Sequence, residues 1–152
     1  MHLTVGTSVI ACNLFKSLPV RRQVYKTNKK CKEELKRIED LIISYAIIKP
    51  TVRFCLKHNK CLIWQKCQVA DVGSALSVAF GHAVFSQMMT IAYNCEDPVF
   101  NLRGYIPKYQ SNDELTGRSS SDRCFIYVNQ RPIYFKNISQ VCCYFYLLNY
   151  LK

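Results

Sequence analysis

Cysteine is the residue type in this sequence whose abundance first suggests chemistry, because thiolates bind metals and act as nucleophiles. The chain has nine cysteines in 152 residues, an odd number, and no Cys-x-x-Cys pair occurs. Cys55, Cys61 and Cys67 are spaced six apart, and Cys142 and Cys143 are adjacent. Neither spacing is typical of zinc ligands. We therefore predict no metal site, and free thiols that fill core gaps in a reducing compartment.

A second group that could do chemistry is a basic cluster, which has eight Lys and Arg residues between Arg21 and Arg37. Glu33 and Glu34 interrupt it. This pattern favours a mixed-charge helix surface first, and a DNA patch or nuclear-import signal second. For Arg21 and Arg22 themselves, the alternatives are a solvated cationic helix end, ion pairs to Glu33 or Glu34, or a functional contact.

The whole chain is basic, with 21 Lys and Arg against 10 Asp and Glu and a formal net charge of +11. Such a charge favours an anionic partner: nucleic acid first, an acidic membrane or protein surface second. The sequence has no apolar run long enough to span a bilayer and no signal-peptide pattern, so we expect an intracellular protein. Its length and its 49% hydrophobic content predict one compact domain with a core.

Apolar periodicity predicts the elements that would position these residues. The first predicted helix runs from about 28 to 47, and its buried stripe is Leu35, Ile38, Leu41, Ile42 and Tyr45. The second predicted helix runs from Asp71 to Met89 and is capped by Asp71 or Ser74. Its residues directed to the core are Leu76, Phe80, Ala83 and Val84. Predicted strands are 5–12, 51–58, 61–67, 90–95, 99–106 and 124–129, with turns at 13–19, 58–60 and 96–98.

The last third of the chain contains two less regular features. Residues 108–122 are polar and Ser-rich, and we predict a mobile loop there. A final helix is predicted from about Asn137 to the end, and it is apolar on nearly every side. Helices of this kind are normally buried, so we expect a covering partner outside this chain and a truncated sequence. The element order predicts the α+β class.

Four stretches carry a resemblance to a known family: "GTSVIACNLFKSLPVRRQVY", "KKCKEELKRIEDL", "HNKCLIWQK" and "RCFIYVNQRPI". In this order they resemble the MutL family of DNA mismatch repair proteins, and most of all its eukaryotic PMS-type members. The resemblance implies a ribosomal protein S5 domain 2-like transducer domain at 23–152. It also implies that residues 1–22 are the C-terminal edge of a GHKL-type ATPase domain, with Thr7 to Cys12 as the terminal strand of its sheet.

The resemblance also implies functional residues. Gly6 and Thr7 match the family's Gly-Thr beside the nucleotide phosphates, where glycine permits close approach and threonine adds a hydroxyl. Arg21 and Arg22 would lie near the junction of the two domains. Asn129-Gln130-Arg131 matches the family's Asn-x-Arg beside a positively charged DNA groove, and Lys136 follows closely. Arginine suits phosphate because its planar fork donates parallel hydrogen bonds. We therefore expect Arg131, Lys136, Arg21 and Arg22 to bind DNA.

Further expectations follow from the family. The full-length protein would bind and hydrolyse ATP with magnesium, whereas this chain lacks the family's upstream catalytic motifs and is expected to retain neither cofactor nor activity alone. Its partners would be double-stranded DNA, a second MutL homologue and MutS-type mismatch recognition proteins, in the nucleus and without a membrane. Two alternatives stay open: an RNA-binding module of S5-like fold, and a truncated product without function.

Overall fold

The structure is a computed structural model, and it describes residues 6–116 and 124–134. The chain divides into two compact units, Met1–Ile38 and Glu39–Lys152. The predicted boundary between residues 22 and 23 stays a prediction. The last predicted helix, Lys136, Cys142, Cys143 and part of the predicted mobile loop lie outside the described residues.

The first unit contains a short helix, α1 Pro19–Val24, which begins at a proline in its first turn. Proline suits this position because its fixed φ is already helical. The predicted strand over 5–12 is wrong for its described part, since residues 6–12 are exposed and form no strand. A strand needs a neighbour for its backbone N–H and C=O groups, and the described residues provide none. Phe15 stacks on Tyr25 instead, with ring centroids 5.2 Å apart.

The long helix α2 Asn28–Ile48 confirms the prediction from about 28 to 47. Its buried face is not the predicted one: Ile43, Ala46 and Ile47 are buried. Three members of the predicted stripe are exposed, namely Ile38, Leu41 and Tyr45 at 48%, 56% and 41%. The reason is that residues 41–48 are apolar nearly all round, so packing against neighbouring elements, rather than spacing, selects the buried face.

An antiparallel hairpin follows, formed by β1 Phe54–His58 and β2 Cys61–Lys66, as the sequence predicted. Its turn residues Asn59 and Lys60 both have positive φ, 48° and 66°. Two positive φ angles are the signature of a type I′ turn, whose twist matches that of the flanking strands. Phe54 lies opposite Lys66 in the register, so this pairing fixes the position of Lys66 at the end of β2.

The predicted helix from Asp71 to Met89 is wrong in its second half. Its start is confirmed, because the Asp71 carboxylate accepts a hydrogen bond from the backbone N–H of Ser74 at 2.7 Å. Helix α3 Val72–Phe80 then ends at Gly81, whose φ of 89° is outside the helical region. A single turn, α4 His82–Phe85, follows before the chain extends again. Ala83, predicted for the core, is therefore exposed.

Two more antiparallel hairpins complete the described structure. Strands β3 Met88–Glu96 and β4 Val99–Pro107 confirm the predicted pair around the turn at 96–98. The predicted loop at 108–122 contains one helical turn, α5 Asp113–Thr116. Strand β5 Ile126–Val128 pairs with β6 Arg131–Ile133. The sequence did not predict β6. Among the described residues there are three separate two-stranded sheets. A mixed α+β fold is confirmed, and the S5-like assignment stays a prediction.

The cysteines correct a further expectation. Seven described cysteines are free thiols, but five of them are exposed: Cys12, Cys31, Cys55, Cys61 and Cys67. Core filling is therefore wrong for these five. Cys55 and Cys61 belong to the β1–β2 hairpin, a sheet of only two strands, and such a sheet cannot enclose all of its side chains.

Candidate nucleic-acid interface

The β5–β6 hairpin carries the predicted Asn129-Gln130-Arg131 motif. Asn129 and Gln130 form its two-residue turn, with φ angles of 49° and 63°, and Arg131 is the first residue of β6, opposite Val128. The sequence analysis predicted a strand only up to residue 129, with Arg131 in the connection to the next helix, and that is wrong because Arg131 begins β6. Proline tolerates edge strands, so Pro132 does not prevent strand formation in a two-stranded sheet. A tight turn of this kind fixes the backbone that carries Arg131.

The Arg131 side chain is exposed. Within residues 6–116 and 124–134, the structure gives it no hydrogen bond and no ion pair. An exposed guanidinium without a carboxylate partner keeps its donors for a ligand. In the part of the chain that the structure describes, Arg131 therefore presents an unpaired cation directly after a tight turn.

Sequence reasoning missed a second basic residue at this turn. Lys49, just after α2, donates a hydrogen bond from Nζ to the Oε1 atom of Gln130, 81 residues further along the chain. No local signal could have found this contact, because it depends on how α2 and the β5–β6 hairpin pack.

A third lysine fixes the backbone around Lys49. Lys66 is 1% exposed, and its Nζ donates to the carbonyl oxygens of Pro50 at 2.7 Å, Val52 at 2.9 Å and Cys67 at 3.2 Å. The Lys49 carbonyl oxygen lies 3.5 Å away. Desolvation by burial lowers the pKa of Lys66, and the electrostatic interaction with Cys67 acts in the opposite direction. Lys66 thus ties β2 to the connection between α2 and β1.

Tyr127 attaches the hairpin to α2 directly. Its hydroxyl donates a hydrogen bond of 2.9 Å to the carbonyl oxygen of Ser44. Burial raises the pKa of this phenol above its ordinary value, since a buried phenolate would lose its hydration. Together, Tyr127 and Lys49 link β5 and the turn to the C-terminal end of α2, so the position of Arg131 is set from two sides.

Arg21 and Arg22 lie on α1 in the first unit, and both are exposed. The predicted alternative of ion pairs to Glu33 and Glu34 is wrong. Glu33 pairs with Lys30 at 2.6 Å and Glu34 with Arg37 at 2.7 Å, each three residues apart on α2. Carboxylates at this helical spacing find a nearer cation. In the described part of the chain, Arg21 and Arg22 therefore have no ion-pair partner.

Gly6 and Thr7 lie in exposed, irregular chain. A Cβ added at Gly6 would meet no atom within 4 Å. The described residues therefore form no close-fitting cradle that would require glycine, and the structure offers no observation that fits an ATP phosphate there. Their role stays a prediction.

Metal ligands and a membrane-spanning helix are two further features that could define a site. No three His, Cys, Asp or Glu side chains come together there as metal ligands. Of the helices in the ranges 6–116 and 124–134, none has the length and apolar character needed to cross a bilayer.

Comparison with known proteins shows clear relatives, although no family model matches the chain. The chain is 43% identical to human PMS1 protein homolog 1 over 151 residues, which is 99% of the chain and 16% of that protein. It is 29% identical over 164 residues to the DNA mismatch repair protein PMS1 of Saccharomyces cerevisiae, covering 90% of the chain and 18% of that protein. Identity to the DNA mismatch repair protein MutL of Actinobacillus pleuropneumoniae is 28% over 143 residues, covering 89% of the chain and 21% of that protein.

The fold has a counterpart among solved structures. A crystal structure of the N-terminal domain of a DNA repair protein matches with a TM-score of 0.66 and 25% identity, covering 85% of this chain and 43% of that one. The chain spans only about a fifth or less of the length of the curated relatives above. Sequence and fold agree, and the chain is therefore a homologue within the MutL/PMS family of DNA mismatch repair proteins.

Proposed function

We propose that this chain is a DNA-binding part of a PMS-type mismatch repair protein, and that it contacts the phosphates of duplex DNA without reading their sequence. The observation that carries the proposal is Arg131: its guanidinium is exposed and has no protein partner in the described residues, its backbone directly follows a tight turn, and the chain is homologous to mismatch repair proteins. Arginine binds phosphate through two parallel, charge-assisted hydrogen bonds.

Charge supports the same proposal. The net charge of +11 attracts a polyanion, and Arg21 and Arg22 are exposed without ion pairs in the described residues. We assign Arg21, Arg22 and Lys136 to phosphate contacts as well. Phosphate contacts position a protein on DNA but carry no sequence information, which is why we expect affinity without sequence preference.

The wider function follows from homology. We propose that the full protein binds and hydrolyses ATP with magnesium, with Gly6 and Thr7 near the nucleotide phosphates. We further propose that it couples this activity to DNA and to partners, namely a second MutL homologue and MutS-type proteins, in the nucleus. The support is 43% identity to a PMS1 homologue over 99% of the chain. We assign no catalytic residue to this chain.

The test is fluorescence anisotropy of the purified chain with two unrelated DNA duplexes of equal length, across about 50 to 200 mM salt. We expect equal affinities for both duplexes, and log K falling with log salt by about 0.9 for each phosphate neutralised. A strong preference for one duplex, or binding that does not respond to salt, would contradict the proposal. Tighter binding of an RNA of the same length would favour the RNA-binding alternative.

A further inference from the structure

We propose that Lys49 is a second phosphate-binding residue, and that it acts together with Arg131 across the β5–β6 turn. The two cations would bind the same stretch of DNA backbone, because Gln130, which holds Lys49, is the residue next to Arg131. This inference rests on the proposed function, because it takes Arg131 as a phosphate contact.

The backbone of Lys49 is fully engaged. Its N–H donates to the carbonyl oxygen of Tyr45 at 3.0 Å, and its carbonyl oxygen accepts from the N–H of Val52 at 3.2 Å. The buried Lys66 holds the neighbouring carbonyl groups, among them that of Pro50 at 2.7 Å. The Pro50 oxygen also accepts from the N–H of Val69 at 3.0 Å. The backbone from which the Lys49 side chain extends is thus held by tertiary contacts as well as by the end of α2.

The far end of that side chain is also placed. Its Nζ donates to the side-chain Oε1 of Gln130, the turn residue that directly precedes Arg131. Gln130 and Arg131 are consecutive residues, so their Cα atoms are about 3.8 Å apart. The side chain that orients Lys49 therefore belongs to the residue next to Arg131. Folding therefore brings the ammonium group of Lys49 to the residue that directly precedes Arg131, although the two cations are far apart in the sequence.

The charge of Lys49 is not neutralised by this contact. Gln130 is uncharged, and in the described residues Lys49 forms no ion pair. An ammonium group has three donors, of which the contact with Gln130 uses one. Lys49 can therefore bind an anion while it stays attached to the turn. Holding a long side chain in its bound position before the ligand arrives reduces the ordering cost of binding.

Lys66 has a different role. Because it is 1% exposed and donates to protein carbonyls, it cannot reach a phosphate and is a positioning residue. Lys57 offers the control for charge: it lies on β1, is exposed, and its side chain has no hydrogen bond or ion pair in the described part of the chain. Removing its charge changes the net charge by the same amount as removing that of Lys49.

The experiment measures the salt slope of duplex DNA binding for Lys49→Gln, Lys49→Arg, Lys57→Gln, Arg131→Gln and the double variant of Lys49→Gln with Arg131→Gln. Far-ultraviolet circular dichroism and urea unfolding check that all five fold like the wild type. We expect Lys49→Gln to lower affinity and to make the slope shallower by about 0.9. With a slope difference of this size, the ratio of wild-type affinity to Lys49→Gln affinity falls about 3.5-fold between 50 and 200 mM salt.

Lys49→Arg should restore the wild-type slope, whereas Lys57→Gln should leave it unchanged. The double variant should lose less affinity than the product of the two single losses, since either change already loosens the shared contact. If Arg131→Gln flattens the slope and Lys49→Gln behaves like Lys57→Gln, the role of Lys49 is wrong and the proposed function stands. If the losses of binding free energy in the two single variants add up exactly in the double variant, Lys49 and Arg131 do not act together. If Arg131→Gln also keeps the wild-type slope, both proposals are wrong.

Discussion

The ammonium nitrogen of Lys66 lies 2.7 Å from the carbonyl oxygen of Pro50. Through this contact the last residue of β2 reaches the connection between α2 and β1, where Val52 offers a second carbonyl oxygen at 2.9 Å. Buried charges are normally paired or fully hydrogen-bonded, and here backbone carbonyls take the place of a carboxylate. The contact stabilises the segment from which Lys49 extends to Gln130.

Replacing this buried lysine should destabilise the protein. Lys66→Met keeps much of the side-chain volume but leaves the carbonyls of Pro50 and Val52 without this donor, so we expect the free energy of unfolding to fall by roughly 2–3 kcal/mol. Urea unfolding measures this value. Lys57→Met, on the exposed surface of β1, is the control and should stay within about 0.5 kcal/mol of the wild type. Equal stability of the two variants would mean that Lys66 does not hold this connection.

The raised pKa of Tyr127 predicts a pH effect. Its ordinary value is 10.0, so above that pH the unfolded chain loses the phenol proton while the folded chain keeps it. The folded state then binds more protons, and its stability falls as pH rises. Tyr127→Phe removes this pH-dependent contribution. It also removes the hydrogen bond to Ser44, so near neutral pH we expect the free energy of unfolding to fall by about 1 kcal/mol.

The measurement is urea unfolding of the wild type and Tyr127→Phe at neutral pH and just above pH 10.0. The stability advantage of the wild type should be constant on the acidic side and should shrink on the alkaline side. An advantage that is the same at both pH values would contradict a protonated, buried Tyr127.

The β1–β2 turn should be improved by glycine. Lys60 has a φ of 66°, a left-handed conformation that costs a residue with a side chain roughly 1–2 kcal/mol relative to glycine. Lys60→Gly creates the Asn-Gly pair preferred in type I′ turns, and we expect the midpoint of thermal unfolding to rise. Lys60→Ala removes the same charge but keeps the strained φ, so it should give no such rise. Equal melting temperatures for the two variants would show that the turn conformation is not the cause.

Several elements could be predicted from sequence because their signals are local. The β1–β2 hairpin has alternating apolar residues on both sides of a polar turn, and Asp71 is a typical N-cap. Strand β6 was missed because Arg131–Ile133 is short and contains a proline, which argues against a central strand and permits an edge one. The end of α3 was missed because helical spacing continues past Gly81, and a single glycine does not by itself predict a break.

The candidate site was only partly predictable. Resemblance to a family singled out Arg131, but the contacts that hold it are tertiary. Lys49 meets Gln130 over 81 residues of sequence and Lys66 meets Pro50 over 16. From composition alone, both lysines would be expected to be solvated charges on the surface. One of them is buried among carbonyl groups, and the other is held at the turn.

Charge reversal at Arg131 tests the central claim most directly. The variant is Arg131→Glu and its matched control is Arg103→Glu, an exposed arginine on β4, so both change the net charge equally. We would measure the salt slope of binding to a random duplex after checking that both variants fold. We expect Arg131→Glu to lower affinity at low salt and to make the slope shallower by roughly one to two contacts, about 0.9 for each, with a much smaller change for Arg103→Glu. Equal slopes for the two variants would contradict a phosphate contact at Arg131.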